Sequence, residues 1–434
     1  MLPLRSVQLV ALAAVICGCA LRLGWPEEIE YKADEAWMFA RSQAVGVTEP
    51  WPATGMVSGA RTLNPGASVW VFAALARLTG ARDPVSLARA VAVLNCLALA
   101  GLAIFILRAL PGAEEQRAWL WALALAAAAP TAIILQRKIW AQSLLPLLGV
   151  LLLAAWWRRR SFAGAFAWAL LALLAGQVHL SGLLFFAAVV AWTLLRARDL
   201  MHWRGFALGA ALGALPALPW LRALLLAPGP AGPPLWHVPT WKFWELWATD
   251  GLGFDLSFSL GPEFVELWRR PLLAGHGTWL AGLAWLGVLG IFGVFLFHLG
   301  KNLWHVRRSW STALAAQPSD TGLLLGAAAV AYGVLLTLPD LTIHRHYLLV
   351  LFPLPQVWFA REFLRGDPLT RARHERLLLL AVALNLLVVS QLFPLLRARG
   401  GAPGGDFGVS WHAQATAPSS LRNASNSSTP APIK

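Results

Sequence analysis

Long, almost uncharged apolar runs recur along this chain and limit what it can fold into. The runs Ser6–Leu23, Pro84–Leu107 and Thr278–Leu299 are each close to the ~20 residues that an α-helix needs to cross a bilayer. Charged residues make up 13% of the sequence, about half of the roughly 25% that is usual in soluble domains. Because a helix satisfies its own backbone hydrogen bonds in lipid, the pattern predicts an all-α integral membrane protein.

The same length criterion, applied to the whole sequence, predicts about eleven transmembrane helices. The first resembles a signal peptide, but the many spans that follow it favour an uncleaved helix. The predicted spans are Ser6–Leu23, Pro84–Leu107, Ala118–Leu135, Ala141–Trp157, Phe162–Gly176, Leu180–Leu195, Phe206–Leu226, Thr278–Leu299, Gly322–Leu338, Tyr347–Ala360 and Leu377–Leu396.

The run Pro65–Leu78 decides the predicted orientation, because it is short for a span and carries Arg77 near its end. If this run crosses the membrane, basic loops such as Arg158–Arg160 face outward. If it lies flat at the interface, these loops face inward, in agreement with the positive-inside rule. The flat helix is therefore the preferred interpretation, within a transmembrane domain that covers residues 1–396.

The predicted outer face then carries two long loops and a tail. The first loop covers residues 25–83 and the second covers residues 227–277. Short turns near residues 136–140, 177–179 and 342–347 face the same side. The tail, residues 397–434, is rich in Ser, Asn, Thr and Pro near its end, so disorder is expected from about residue 415.

The net charge of +14 and the three cysteines give weaker signals. In a soluble protein such a positive charge would suggest nucleic acid. Here the basic residues lie mostly in short loops between spans, so membrane orientation and anionic headgroups explain them and no nucleic-acid partner is expected. Cys17, Cys19 and Cys96 all lie in apolar runs, without a disulfide or metal-ligand spacing.

The acidic pair Asp34-Glu35 follows the first span and is the leading catalytic candidate. A carboxylate held near the bilayer can act as a general base, with the second acid tuning its pKa or orienting a substrate. The alternative is a solvated turn in an acidic loop, since three other glutamates precede the pair. Both interpretations fit the sequence.

Several cationic and polar residues are candidates for binding a phosphate or another part of a substrate. Arg61 and Asn64 precede the flat helix, and Arg137 and Lys138 follow the third span. The alternatives are an interfacial anchor for Arg61 and pairing with the acids of the first loop for Arg137 and Lys138.

Two further polar groups interrupt the predicted spans on the outer face. Gln177 and His179 separate two apolar helices, where a structural hydrogen bond to backbone is an alternative to substrate binding. A dense cluster starts a later helix, where phosphate recognition competes with headgroup anchoring. That cluster is His344, Arg345, His346 and Tyr347.

In their order and predicted sidedness, these segments resemble the GT-C membrane glycosyltransferases. The closest similarity is to the bacterial branch that contains aminoarabinose transferases and protein O-mannosyltransferase-like enzymes. The matching segments are Asp34-Glu35, Gly59 to Pro65, Leu135 to Leu144, Gln177 to Gly182, Arg345 to Leu349 and Gly405 to Ser410.

The resemblance implies a chemistry as well as a fold. It implies that Asp34 is the catalytic residue, with Glu35 beside it, and that a polyprenyl-phosphate or polyprenyl-diphosphate sugar is transferred with inversion. Some relatives carry a second Asp after the third span, whereas Gln136–Gln142 contains no acid. A divalent metal is therefore doubtful, no cofactor is expected, and Arg137 and Lys138 are expected to neutralise the donor phosphate.

The sequence thus predicts a glycosyltransferase of the bacterial inner membrane with its site facing the periplasm. The acceptor is a lipid, a glycan or a protein. One alternative is a transporter or flippase of a lipid-linked sugar, which would place charges or helix breaks at mid-span. Another is a non-catalytic membrane scaffold.

Overall fold

The computed structural model is mainly α-helical and describes residues 1–58, 62–226, 240–306, 319–338 and 343–417. The first half contains α1 (Leu4–Leu23), α2 (Ala33–Ala44), α3 (Ala67–Thr79), α4 (Pro84–Ala109), α5 (Ala113–Ala128), α6 (Pro130–Leu135), α7 (Leu145–Trp156), α8 (Phe162–Val178), α9 (Leu180–Arg196), α10 (Trp203–Ala214) and α11 (Leu218–Leu226). The second half contains α12 (Lys242–Asp250), α13 (Ser257–Leu260), α14 (Glu263–Trp268), α15 (Leu280–Val306), α16 (Asp320–Gly326), α17 (Gly333–Thr337), α18 (Leu354–Phe363), α19 (Pro368–Arg399) and α20 (Trp411–Thr416).

Within these ranges, six helices are long and apolar enough to cross a membrane. Two of them are built from consecutive elements: α10 and α11 join through the 3-10 turn Leu215–Ala217, and α16 and α17 join through the π-helical segment Ala327–Tyr332. The six are Leu4–Leu23, Pro84–Ala109, Trp203–Leu226, Leu280–Trp304, Asp320–Thr337 and Pro368–Arg399.

The other predicted spans are shorter or broken, and proline explains two of the breaks. Proline has no backbone N–H and cannot continue a helix as an interior residue without losing a hydrogen bond. Pro130 therefore begins α6 just after α5 ends. Pro353 separates the 3-10 segment Arg345–Leu351 from α18. The helices α8 and α9 have 17 residues each, about 26 Å in length.

The last long helix begins earlier than the predicted span Leu377–Leu396. Asp367 caps it by accepting hydrogen bonds from the backbone N–H groups of Leu369 at 2.9 Å and Thr370 at 3.1 Å. Pro368 occupies the first helical position, where its missing N–H costs nothing. These local signals add a charged first section to the apolar span.

The first loop, residues 25–83, is folded in its described part and packs against the start of α4. The run Pro65–Leu78 forms α3, whose 13 residues extend only about 20 Å and cannot by themselves cross a hydrocarbon core of ~30 Å. The structure adds α2 and an antiparallel hairpin that the sequence did not predict. The strands of this hairpin are β1 (Thr54–Val57) and β2 (Leu63–Pro65). Buried residues of α2 and α3, including Met38 and Phe72, form a hydrophobic cluster together with Leu87 of α4 and Ile139.

The second outer loop and the tail are also partly folded. From residue 240 onward the loop forms α12, α13, α14 and a short hairpin of β3 (Leu272–Leu273) and β4 (His276–Gly277), while residues 227–239 lie outside the described ranges. The tail forms β5 (Gly401–Ala402), β6 (Gly408–Val409) and α20. Most of the stretch predicted to be disordered, residues 418–434, also lies outside the described ranges.

The tail packs against the segment that leads to Asp34. The backbone N–H of Trp411 donates to the carbonyl of Ile29 at 3.0 Å, and the rings of Trp411 and Tyr31 meet edge to face at 4.7 Å. Lys32 pairs with Asp406 at 3.1 Å. These contacts hold the tail against the first loop.

The segments predicted to face inside lie at one end of the helical bundle, and the segments predicted to face outside lie at the other end. At the start of α1, the carbonyl of Leu2 accepts from Arg117 at 2.8 Å; just beyond its end, the carbonyl of Trp25 accepts from Arg137 at 2.6 Å. Arg159 and His179 are similarly separated by the length of α8. Residues predicted to face inside and residues predicted to face outside are thus about one bilayer thickness apart.

Candidate functional site

A cavity of about 220 Å³ lies between the first loop and the outer turns of the bundle. Segments that are far apart in the sequence contribute to its wall: α2, the β1–β2 hairpin, the turn after α6, the turn after α8 and the start of the 3-10 segment Arg345–Leu351. Six of the residues selected from the sequence line the cavity. They are Asp34, Asn64, His179, His344, His346 and Tyr347.

Asp34 and Glu35 lie in the first turn of α2 but face different surroundings. The carboxylate of Glu35 accepts the backbone N–H of Lys32 at 3.0 Å, which caps the helix, and the side chain is fully buried. Successive helical residues point about 100° apart, so Asp34 is exposed and lines the cavity. In the part of the chain that the structure describes, no side chain pairs with the Asp34 carboxylate.

His179 lies at the break between α8 and α9. Its Nδ1 accepts the backbone N–H of Ser181 at 3.3 Å and contacts the Ser181 hydroxyl at 2.7 Å, so it caps α9. Burial lowers the pKa of His179 to about 4. The ring is therefore neutral at pH 7, and because Nδ1 acts as an acceptor, the proton is assigned to Nε2. The side chain has a structural role and also contributes to the cavity wall.

Aromatic rings form another part of the cavity wall. The rings of His344 and His346 are stacked at 5.2 Å, and His346 meets Trp140 at 5.2 Å and Tyr347 at 4.6 Å. Burial lowers the pKa of His344, and it lowers that of His346 still further, with His179, His344 and Lys138 adding to the effect. This wall therefore presents neutral N–H and O–H groups at pH 7.

Arg345, between the two histidines, does not line the cavity but is held by the second outer loop. Its guanidinium donates to the carboxylate of Asp255 at 2.8 Å and to the carbonyl of Asp255 at 2.7 Å, and it lies 3.4 Å from Asp250. These contacts fix the segment from which His344 and His346 project.

The two partners of Arg345 have opposite pKa shifts. Burial raises the pKa of Asp250 to about 6, although Arg345 opposes the increase. Burial also acts to raise the pKa of Asp255, but Arg345 and Ser257 outweigh it and the net pKa is lowered. Asp250 therefore favours the folded state when it is protonated, and Asp255 does so when it is ionised.

We expect Asp250→Asn to reduce the pH dependence of stability between pH 4 and pH 7. The stability that Asp250 contributes is present below its ordinary pKa of 3.8 and is lost as the pH rises through about 6, a change of at most about 3 kcal/mol. Thermal unfolding in detergent at several pH values measures it. Asp255→Asn is the control with the opposite sign, because its contribution is lost as the pH falls. Parallel pH curves for Asp250→Asn and the wild type would contradict the assignment.

Lys138 and Arg137 have internal partners and do not line the cavity. Lys138, which is 1% exposed, pairs with Glu30 at 2.7 Å and Glu35 at 3.5 Å. Burial raises the pKa of Glu30 to about 7, whereas Lys138 opposes that shift. Arg137 donates to the carbonyls of Leu21 and Trp25. Of the two roles considered for Lys138, pairing with first-loop acids is the one seen.

The remaining candidates have different placements. Gln177 is buried, and its amide donates to the carbonyls of Leu173 and Gly213, which joins α8 to α10. The amide of Asn64 donates to the carbonyl of Met56 across the hairpin at 2.9 Å. Arg61 lies outside the described residues.

The cavity also contains residues that the sequence did not single out. Ser58, Ser68, Trp140 and Gln142 all line it. The buried atoms Ser58 Oγ, Asn64 Oδ1 and Trp140 Nε1 have no hydrogen-bond partner among the described residues. Trp140 and Gln142 closely follow Lys138 in the sequence. The sequence therefore indicated the correct turn but selected a different side chain of that turn.

In the ranges that the structure covers, no group of three or more His, Cys, Asp and Glu side chains is arranged to hold a metal ion. Asp34 is the one carboxylate in the cavity wall formed by those ranges, and the three imidazoles around it belong to His179, His344 and His346.

Comparisons of the chain with protein-family models, with curated proteins and with solved structures found no match.

Proposed function

We propose that this chain is a membrane glycosyltransferase that moves a sugar from a polyprenyl-phosphate or polyprenyl-diphosphate donor to a lipid, glycan or protein acceptor. The main support is Asp34, a carboxylate without a described partner in a cavity at one end of the helical bundle. The cavity is smaller than the roughly 300–1,000 Å³ of drug-sized sites, which suits a single sugar ring.

The proposed reaction uses the side chains that line the cavity. Asp34 removes the proton from the acceptor hydroxyl while its oxygen attacks the anomeric carbon. The bond from that carbon to the phosphate oxygen breaks, the electron pair leaves with the phosphate, and the configuration inverts. General-base assistance of this kind contributes typically about 10²–10⁴-fold to the rate.

The negative charge that develops on the leaving phosphate must be stabilised by hydrogen-bond donors. In the proposed mechanism these are the N–H groups of His344 and His346 and the hydroxyl of Tyr347, which line the cavity. Preorganised neutral donors of this type stabilise developing negative charge in a site that excludes water. Arg137, Lys138 and Arg345, which were expected to bind phosphate, serve internal contacts.

The proposed location is the bacterial inner membrane, with the cavity facing the periplasm and lipids around the bundle. Six apolar helices support the membrane assignment, and the positive-inside rule supports the direction.

We expect cysteines at positions 48 and 160 to be labelled from opposite sides of the membrane. Thr48 lies in the first loop and Arg160 at the other end of the bundle, and both are exposed. Arg159 is unsuitable because it is fully buried. Thr48→Cys and Arg160→Cys, each in a background without Cys17, Cys19 and Cys96, are treated with an impermeant thiol reagent in intact cells. Labelling of both variants from outside contradicts the proposed topology.

A transporter of lipid-linked sugars is the second candidate, and mid-span polar residues bear on it. Asn95 and Asn385 lie in the middle of long helices. The Asn95 amide donates to the backbone carbonyls of Gln136 and Ser143, and the Asn385 amide donates to that of Leu252. Their contacts thus stabilise the bundle and give no support to a transport path.

The fate of the donor separates the two candidates. The protein in liposomes is given a polyprenyl-phosphate sugar with label in both the sugar and the lipid. A glycosyltransferase separates the labels when an acceptor is present, whereas a transporter moves both labels together to the other leaflet. Movement of intact donor without cleavage would favour the transporter.

A further inference from the structure

Lys138 lies directly behind two parts of the cavity wall. Its ammonium group is 3.5 Å from Glu35, which is in the same helical turn as Asp34, and 3.2 Å from the centre of the Trp140 ring. Trp140 and Asp34 both line the cavity. One buried cation therefore contacts the turn that carries the proposed base and the indole on the neighbouring wall.

The ammonium group of Lys138 makes one hydrogen bond, one longer ion pair and one cation–π contact. Glu30 accepts at 2.7 Å, Glu35 lies within ion-pair distance, and the indole face provides a cation–π contact. The side chain is 1% exposed. A lysine that is buried among protein groups and does not line the cavity is not placed to contact a substrate phosphate there.

The contacts of Glu30 extend the arrangement to the tail. Glu30 also pairs with Lys32 at 2.6 Å, and Lys32 pairs with Asp406 at 3.1 Å. Lys138, in the turn after α6, thus contacts the first loop through Glu30 and is connected to the tail through Glu30 and Lys32.

We propose that Lys138 is a positioning residue, which holds the first turn of α2 and the Trp140 ring so that Asp34 faces the cavity. The inference rests on the proposed function for its kinetic consequence, but its structural part stands independently. It replaces the phosphate-binding role that the sequence suggested for Lys138.

His346 provides a reporter for this placement. The charged and titratable groups around it are His179, His344 and Tyr347, together with Lys138 and, on the cavity wall, Asp34. Burial is the main cause of the lowered pKa of His346, and the charge of Lys138, the fixed cation in this set, adds to it. Removal of the charge should raise that pKa, an effect that a change in stability alone does not produce.

The test compares Lys138→Met with the double variant Lys138→Met/Glu35→Gln. The single change leaves Glu35 buried without its cation, leaves Glu30 with Lys32 alone, and lowers the thermal midpoint. The double change removes that unpaired charge, and the amide introduced at position 35 can still cap α2, so the midpoint should recover. If Lys138 positions Asp34, kcat of the double variant remains below that of the wild type, by up to about 10²-fold, while KM for the donor changes little.

Histidine titration by NMR gives the readout that needs no substrate. Protein with ¹³C-labelled histidine is titrated in detergent, and His346→Gln identifies the His346 signal. A higher pKa for His346 in the double variant supports the placement. Wild-type kcat together with a wild-type His346 titration overturns the inference. If the wild type itself transfers no sugar, the proposed function fails, and the titration still decides where Lys138 acts.

Discussion

Asp34→Asn should insert and fold like the wild type but lose turnover by about 10²–10⁴-fold. The amide keeps the size and hydrogen-bonding capacity of the carboxylate but cannot take a proton from the acceptor. Folding should be unaffected because Asp34 is exposed and no described side chain pairs with it. Turnover is measured with protein in bilayers, and folding by thermal unfolding in detergent.

Glu35→Gln is the matched control, because it makes the same chemical change one residue away. Its effect on turnover should be smaller, since Glu35 is fully buried and faces Lys138. Its effect on stability should be larger, because Lys138 then keeps only Glu30. Turnover retained by Asp34→Asn would exclude Asp34 as the base, even if sugar transfer itself were observed.

Arg117→Met should destabilise the fold by about 3–5 kcal/mol without altering the chemistry of the remaining folded protein. Arg117 pairs with Glu375 at 2.5 Å at the end of the bundle opposite the cavity, and Glu375 is fully buried. Removal of the arginine leaves a buried carboxylate without its cation. Chemical or thermal unfolding in detergent measures the loss.

The double variant Arg117→Met/Glu375→Gln controls for the unpaired charge. It should recover much of the lost stability, because a neutral amide is less costly to bury than a carboxylate. A single variant as stable as the wild type would show that Glu375 is not buried in the membrane-embedded protein. A change in turnover per folded molecule would show that the two ends of the bundle are coupled.

The helical membrane fold was predictable because bilayer length and helical geometry leave a clear signal in sequence. The long helices α1, α4 and α15 follow from their apolar runs alone. The number of spans was less predictable: runs such as Ala118–Leu135 contain Pro130, and a hydropathy count does not register the break that it causes.

The site was predictable only in part, because the role of a polar loop residue depends on the residues that it contacts in the folded protein. Asp34 was selected as part of an acid pair after the first span, His179 as a polar break between two helices and His346 as part of a cluster at a helix start, and the structure brings the three to one cavity. Lys138 was selected as a cation on the predicted outer face, yet two first-loop acids contact it. Its partners lie far earlier in the chain, in the first loop; the sequence offered this pairing as an alternative to phosphate binding but could not decide between the two, because the choice depends on the folded arrangement.

The central claim is most directly tested by the anomeric configuration of a transferred sugar. Purified protein in bilayers is incubated with a panel of polyprenyl-phosphate and polyprenyl-diphosphate sugars and with membrane-extracted acceptors, and each product is examined by NMR. The proposed mechanism predicts transfer from at least one donor, with inversion at the anomeric carbon. Retention of configuration would contradict direct attack assisted by Asp34, and the absence of transfer across the panel would contradict the proposed function.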